Sequence, residues 1–483
     1  MNPTDTQRIL DLSLALTSEK DREALLSRIL DAAMDLAPCD AGTLYLLSGG
    51  ALGFCRMFTR SQGVRQGGHD DPISLPPVPL EDRYVCGCCA RHSRKIKIAD
   101  VYAAAEYDFS GARQYDAMTG YRTKSMLVIP MNNEKGELLG VLQLINALDS
   151  GGEPVPFDSA RETLLTGIAS LAAICIANMQ YTEQITALME SLVSAFSRAI
   201  DERSHYTANH TRTMAAIAER FLDWLEQTHH PWAFPPEKRR AFRMAVLLHD
   251  AGKLTIPLEV MDKATRLAGH LSDIEERLRV IGLLDRSAYL EKRISEDEYA
   301  AKTAEREETL AFIQSVNRAG FLSDDALEGI AALSEKTYTD EDGCLRPWIT
   351  DAERDCLLIR KGTLTAAERD VMQSHADVTA KILGSISFPK DYAKVPEWAS
   401  SHHEFLNGSG YTRHLGQGQI APETRLLTIL DIFEALTAQD RPYKKPMPTE
   451  KALLVLEDMT RAGQLDAEIL RLFIESRAWE SVR

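Results

Sequence analysis

Between Asp158 and Asp201 the chain carries few helix breakers, while apolar residues recur at helical spacing through LLTGIASLAAICIANM and LMESLVSAFSRAI. This pattern predicts one long helix. A helix of that length constrains everything else, because it divides the chain into a part that folds before it and a part that folds after it. As a connector between domains it would form the seam of a homodimer and a mechanical coupler; a packing helix buried in either domain would give the same pattern.

A chain of 483 residues exceeds the size at which one hydrophobic core usually keeps growing, so two or more domains are expected. We place them at residues 1–178, 179–200 for the linker helix, and 201–483. Before the helix the pattern is mixed α/β. Helical spacing from about Thr6 to Leu36 gives way to strand-like runs at Gly42 to Leu47 and Ser125 to Pro130. SMLVIPM, the turn NNEKGE and LLGVLQLINA read as a β-hairpin, with Gly136 available for positive φ. From Val193 onward no strand pattern stands out, so the second half reads as all-α. Within it, residues 268–357 are rich in charge at helical spacing and carry no chemistry-bearing cluster, which fits a solvated helical insertion.

The 44% hydrophobic and 26% charged residues are ordinary for a soluble globular protein. No apolar run reaches the roughly 18 residues of a membrane span, and Met1 to Arg8 is polar, unlike a secretory signal. These features predict a cytoplasmic protein without a membrane partner. A net charge of -16 opposes binding to a nucleic-acid polymer or an anionic membrane. An anionic substrate would need a local cationic site, which bound metals with a few Lys and Arg would supply. The eight cysteines are scattered apart from Cys86, Cys88 and Cys89, and make no disulfide framework. With His92 those three suggest a metal or redox site, but their spacing is poor for it, and we expect apolar packing.

Five segments of the second half concentrate His and Asp: YTANH ending at His210, LLHDAGK at Leu247 to Lys253, MQSH ending at His375, SHHE at Ser401 to Glu404, and ILDIFEAL at Ile429 to Leu436. A lone His on an apolar helix is usually a core residue. The adjacent pair His249-Asp250 follows the apolar run MAVLL, where an uncompensated carboxylate would be costly to bury; a metal removes that cost. Imidazole with carboxylate suits two divalent first-row ions, iron or manganese, and a carboxylate can bridge them. Two metals roughly 3.5 to 4 Å apart clamp phosphate oxygens during in-line displacement, so phosphodiester hydrolysis is the reaction best served. Lys253, after the flexible Ala251-Gly252, would place a cation on the phosphate.

Together LLHDAGKLTIP, KGTLTAAERDVMQSH, SHHEFLNGSGY and DIFEALTAQDRPYKK resemble the HD-GYP family of cyclic di-GMP phosphodiesterases, from about Val193 to Glu480. The resemblance implies an all-α HD-type phosphohydrolase domain. It implies that His210, His249, Asp250 and Asp431 surround one metal, and that Asp250 as a bridge, His375, His402 and His403 hold the second. Lys253 matches the family's catalytic lysine, acting with Asp250. Gly410 and Tyr411 fall in the substrate-side loop, while Arg441 and Lys444 match positions that contact the dinucleotide. Glu404 is expected to orient a ligand His. Some relatives bring in a third metal through a Glu four residues before the first ligand His; Tyr206 stands there, so two metals are expected. Asn407 replaces the family's usual Asp, and Thr412 a proline that would stiffen the loop.

The first part resembles a GAF sensor domain from about Arg8 to Asn178, through the stretch Ile98 to Ala147 and its cyclic-nucleotide-type branch. Asn146 followed by Phe157-Asp158 matches only part of that branch's nucleotide-binding signature, so ligand identity does not transfer. The expectation is a GAF-regulated enzyme that cleaves cyclic di-GMP to pGpG or GMP and responds to a small-molecule or redox signal. Alternatives are a weakly active, metal-bound receptor of the dinucleotide and an HD phosphohydrolase for another nucleotide.

Overall fold

The computed structural model describes residues 14–15, 18–19, 21–68, 70–203, 209–438 and 446–480. Tyr206, Arg441 and Lys444 lie outside the described residues. The chain separates into two compact units, Met1–Leu188 and Met189–Arg483, so their boundary falls inside the helix Ser159–Asp201.

The first unit is an antiparallel sheet between helices. Strands β1 (Cys39–Ser48), β2 (Ala51–Thr59), β3 (Val64–Gln66), β4 (Val78–Pro79), β5 (Ile96–Ile98), β6 (Met126–Asn132), β7 (Leu138–Leu148) and β8 (Pro154–Val155) form it. Their order is β3-β2-β1-β7-β6-β5, with β4 on β2 and β8 on β7. The expected hairpin is β6–β7: Gly136 has φ 79°, and the Asn133 side chain accepts from the amides of Lys135 and Glu137. Alternation along the strands gives the sheet two faces. Leu44, Leu142 and Leu144 pack on the helix Arg22–Leu36 and on Leu165, Ile168, Ala169 and Ala172 of the long helix. Tyr45, Val128 and Val141 face the opposite way, toward the helix Val85–His92. Each of these buried leucines contributes about 1.5–3 kcal/mol. Cys86, Cys88 and Cys89 belong to the second cluster, and burial pushes the Cys86 thiol up to about 12. His92 turns outward to Asp82 at 2.7 Å. Against the expectation of no membrane-length run, the helix Ser159–Asp201 is long and apolar enough to cross a membrane by length and composition alone.

The second unit is helical. His210–Gln227, Pro236–Leu248, Pro422–Thr437 and Ala467–Ser476 bury Phe221, Phe242, Leu430, Phe433 and Phe473 in one core. Residues 268–357 build a core of their own from Ile274, Leu278, Ile313, Ile330 and Trp348. The all-α expectation needs one correction there, because Thr337–Thr339 and Leu345–Pro347 pair as a two-stranded hairpin. The strands are too short to show alternation. Their turn is fixed by Asp340, whose side chain accepts from the amides of Asp342 and Cys344.

Candidate metal centre

The histidines come from ends of helices, where backbone groups left without intrahelical partners can fix a ring. His210 begins the helix His210–Gln227, His249 ends Pro236–Leu248, and His375 begins His375–Gly384. His402 and His403 follow Val395–Ser400. Asp431 projects from the middle of Pro422–Thr437.

Three of the rings are oriented the same way. The Nδ1 atoms of His249, His375 and His402 face the carbonyls of Val246, Met372 and Ala399, at 2.8, 2.6 and 2.6 Å. Each carbonyl lies three residues before its ring. A carbonyl can only accept, so each Nδ1 carries a proton and each Nε2 faces away from that carbonyl. The Nε2 atoms converge. His210 Nε2 and His249 Nε2 are 3.3 Å apart, and His375 Nε2 and His402 Nε2 3.5 Å. Asp250 joins the two pairs: one oxygen lies 3.1 Å from His249 Nε2, the other 3.4 Å from His375 Nε2 and 3.8 Å from His402 Nε2. Asp431 lies 3.3 Å from His210 Nε2 and 3.9 Å from His403 Nδ1. The sets His210/His249/Asp431, His249/Asp250/His402 and His375/His402/His403 each bring their donor atoms within 4.8 Å.

A cation fits this arrangement. Asp250 Oδ1 is buried without a hydrogen-bond partner, an expensive omission in an apolar setting. Asp250, Asp431 and Glu434 are all buried, against one ammonium, Lys253 Nζ, at 2.6 Å from Asp250. Burial opposes ionisation of Asp250, but His249 and Lys253 hold its carboxyl well below the usual range. Burial keeps His375 and His402 neutral, and His403 falls to about 3. Neutral imidazoles beside ionised carboxylates are the protonation states that a divalent ion requires. His210 differs: burial would lower it, but Asp431 and Glu434 push it up to about 10. An ion at the cluster would replace the proton on Nε2 and leave the one on Nδ1 to Glu434.

Glu434 was not among the residues singled out from sequence. Its carboxylate binds His210 Nδ1. The readable signal was its place three residues after Asp431, one helical step along the same face. Glu404 requires a correction. It accepts from the amides of Arg413 and Leu415, at 2.8 and 2.9 Å, and so holds the loop rather than a ligand ring.

Two glycines let the segments close. A side chain on Gly252 would start 1.9 Å from the carbonyl oxygen of His375, and its amide instead donates to Thr379 Oγ1 at 2.8 Å. A side chain on Gly410 would meet Phe405 N at 2.4 Å and His403 O at 2.5 Å. This places Tyr411 over His403, with ring centroids 4.6 Å apart. Thr412 donates to Asp377, and Asn407 to the carbonyl of Ala462 at 3.0 Å.

A family model described as "GAF domain" matches residues 21–176, and one described as "HD domain" matches residues 356–469. The latter begins after His210, His249 and Asp250. A 3'3'-cGAMP-specific phosphodiesterase of Vibrio cholerae is 40% identical over 104 residues, 22% of this chain and 22% of its own length. A cyclic di-GMP phosphodiesterase of Thermotoga maritima is 32% identical over 122 residues, 25% of this chain and 32% of its own. Thus the chain spans no more than about a third of these curated relatives. Among solved structures, the GAF domain of an Acinetobacter phosphoenolpyruvate-protein phosphotransferase aligns with 38% of this chain and 99% of its own, at 13% identity and TM-score 0.30.

Proposed function

We propose that this chain, which carries a GAF domain before an HD domain, is a cytoplasmic, metal-dependent phosphodiesterase of HD-GYP type that hydrolyses a cyclic dinucleotide. The observation that carries the reading is the convergence of imidazole Nε2 atoms on an unpartnered oxygen of Asp250. His210, His249, Asp250 and Asp431 would hold one divalent ion; Asp250, His375, His402 and His403 would hold a second. When bound, such ions neutralise phosphate charge and activate water for in-line displacement. Iron or manganese suits the mixed N/O donor set.

The chain's own groups act around them. Glu434 accepts a hydrogen bond from the Nδ1–H of His210 and so aims the ring's Nε2 at the ion. Lys253 places an ammonium where a phosphate oxygen gains charge. Tyr411, seated on His403 because Gly410 permits the close approach, offers an aromatic wall to a ribose or base. Arg441 and Lys444 would add cations against the dinucleotide.

Cyclic di-GMP is the substrate we place first, cleaved to pGpG or GMP. The relative at 40% identity named for 3'3'-cGAMP favours that dinucleotide as a second reading. Metal-loaded protein incubated with each in turn, with products resolved by chromatography, decides between them. We expect linear product from wild type and none from Asp250→Ala, which should also lose metal. Tight binding without product would make the domain a receptor, and an active, fully metallated Asp250→Ala would sink the two-metal site.

A further inference from the structure

Of Cys86, Cys88 and Cys89, only Cys88 falls, among the described residues, within a cluster of metal-ligand type. Cys88 and His92 lie four residues apart on the helix Val85–His92, so their side chains share a face. Asp82 reaches the same face from the turn before the helix. Its carboxylate is 2.7 Å from His92 Nε2, and the sulfur, an imidazole nitrogen and a carboxylate oxygen of the three residues all lie within 4.8 Å of one another. The sequence displayed the thiols and the histidine but not this partner, because a residue in a turn has no periodic direction.

Gly87 sets the approach of that turn. A side chain on it would start 2.4 Å from the carbonyl oxygen of Pro79 and 2.7 Å from that of Glu81, so only a bare glycine lets residues 79–81 lie against the helix. Glu81 N donates to Pro79 O at 2.8 Å and Tyr84 N to Glu81 O at 3.1 Å, which tightens the segment carrying Asp82. Cys88 is 3% exposed, whereas Asp82 and His92 are half-exposed, so the set has a buried floor and an open side.

The donor chemistry suits an ion of the zinc class. Thiolate and imidazole are its preferred ligands, and a carboxylate completes a three-ligand site whose fourth position stays open. A thiolate, a carboxylate and a neutral imidazole carry two negative charges, which one divalent ion balances. The thiol proton leaves to solvent as the metal–sulfur bond forms. Two guanidiniums compete for the same groups. Arg91 lies 3.5 Å from Asp82, and Arg94 lies 3.9 Å from the Cys88 sulfur, which the Tyr107 hydroxyl also meets. Both arginines are exposed, and surface pairs of this kind are worth little, so an ion can displace them.

We propose that Asp82, Cys88 and His92 form a metal site of the first unit, separate from the histidine cluster of the second, and that it takes an exchangeable ion of the zinc class. It does not rest on the hydrolytic reading. Cobalt(II) is titrated into the full chain, kept reduced with a phosphine, and the near-ultraviolet sulfur-to-cobalt charge-transfer band is followed. The sets of the histidine cluster hold no sulfur donor, so cobalt bound there adds nothing to that band. We expect a saturable band that zinc removes. Cys88→Ser should abolish it, and His92→Ala and Asp82→Asn should each weaken cobalt by about tenfold or more, since even groups behind a ligand carry that factor. Cys344→Ser, which removes an exposed thiol, should leave the band unchanged. If Cys88→Ser does not fold, the variants at the half-exposed His92 and Asp82 decide. No band at saturating cobalt, a band lost in Cys344→Ser, or unchanged affinity in either His92→Ala or Asp82→Asn would overturn the proposal.

Discussion

Glu434 and Gly252 govern the candidate site without being ligands. The carboxylate of Glu434 is buried behind His210, where it fixes the tautomer and raises the basicity of the ring. Groups in such positions commonly carry 10–100-fold in metal affinity. Glu434→Gln should therefore lower metal retention by about that factor while the melting profile stays close to wild type, read by plasma emission after dialysis. Gly252 acts through space. The carbonyl of His375 occupies the volume of its missing side chain, so Gly252→Ala must push apart the segments carrying Asp250 and His375. A loss of roughly 1–3 kcal/mol in denaturant unfolding, together with loss of metal, is the expected outcome. Gly252→Ala protein with wild-type metal content would show that the approach is not needed. The sequence made Gly252 visible only as a flexible joint, since a contact with a residue so far along the chain leaves no local pattern. Glu404 follows a related pattern: the resemblance implies service to a ligand His, but its carboxylate accepts from the amides of Arg413 and Leu415, and contacts across a loop leave no local signal in the sequence.

Legibility among the elements followed local physics. The β6–β7 hairpin was readable because alternation and turn chemistry agree, and the long helix because breakers are few over many turns. The hairpin at Thr337–Pro347 was hidden by strands of three residues each. Two elements support predictions of their own. Where the long helix ends, Asp201 accepts from Thr211, the neighbour of His210, at 2.8 Å, and Arg203 donates to the carbonyl of Ile256 at 3.0 Å, closing the turn that carries Lys253. Arg203 is thus a positioning residue. Arg203→Ala should lower kcat severalfold with metal content unchanged, and a parallel loss of metal would assign it to the ligands instead. Within residues 268–357, Arg277 grips Glu353 at 2.8 Å. Burial raises the Glu353 pKa, but Arg277 and the Thr350 amide outweigh it and leave the carboxyl below its usual 4.5. The stabilisation is complete above about 4.5 and is lost as pH falls through the lower, folded value. Acid titration of wild type should therefore cost more stability below that range than titration of Glu353→Gln, which has already lost about 3 kcal/mol at neutral pH.

At the scale of the molecule, two units with separate cores should unfold in two steps rather than one. Scanning calorimetry tests this together with the assignment of ligands. Saturating manganese, a divalent ion that thiolate sites do not select, should raise only the transition of the second unit. About 2.7 kcal/mol is expected at a hundredfold excess over Kd. A single transition that the ion shifts as a whole would refute independent units.

The segment 268–357 departs from and returns to one spot. Arg266 Nε donates to Ile359 O at 2.7 Å, and Thr363 Oγ1 to Lys263 O at 2.9 Å, so the stem is tied at its base. Closing a loop costs free energy that grows only with the logarithm of its length. The excursion is therefore a guest whose host scarcely registers its size. That makes the stem a natural port: a fluorescent reporter or a foreign ligand-binding module spliced between Leu267 and Leu358 would ride on the second unit while leaving the histidines in register.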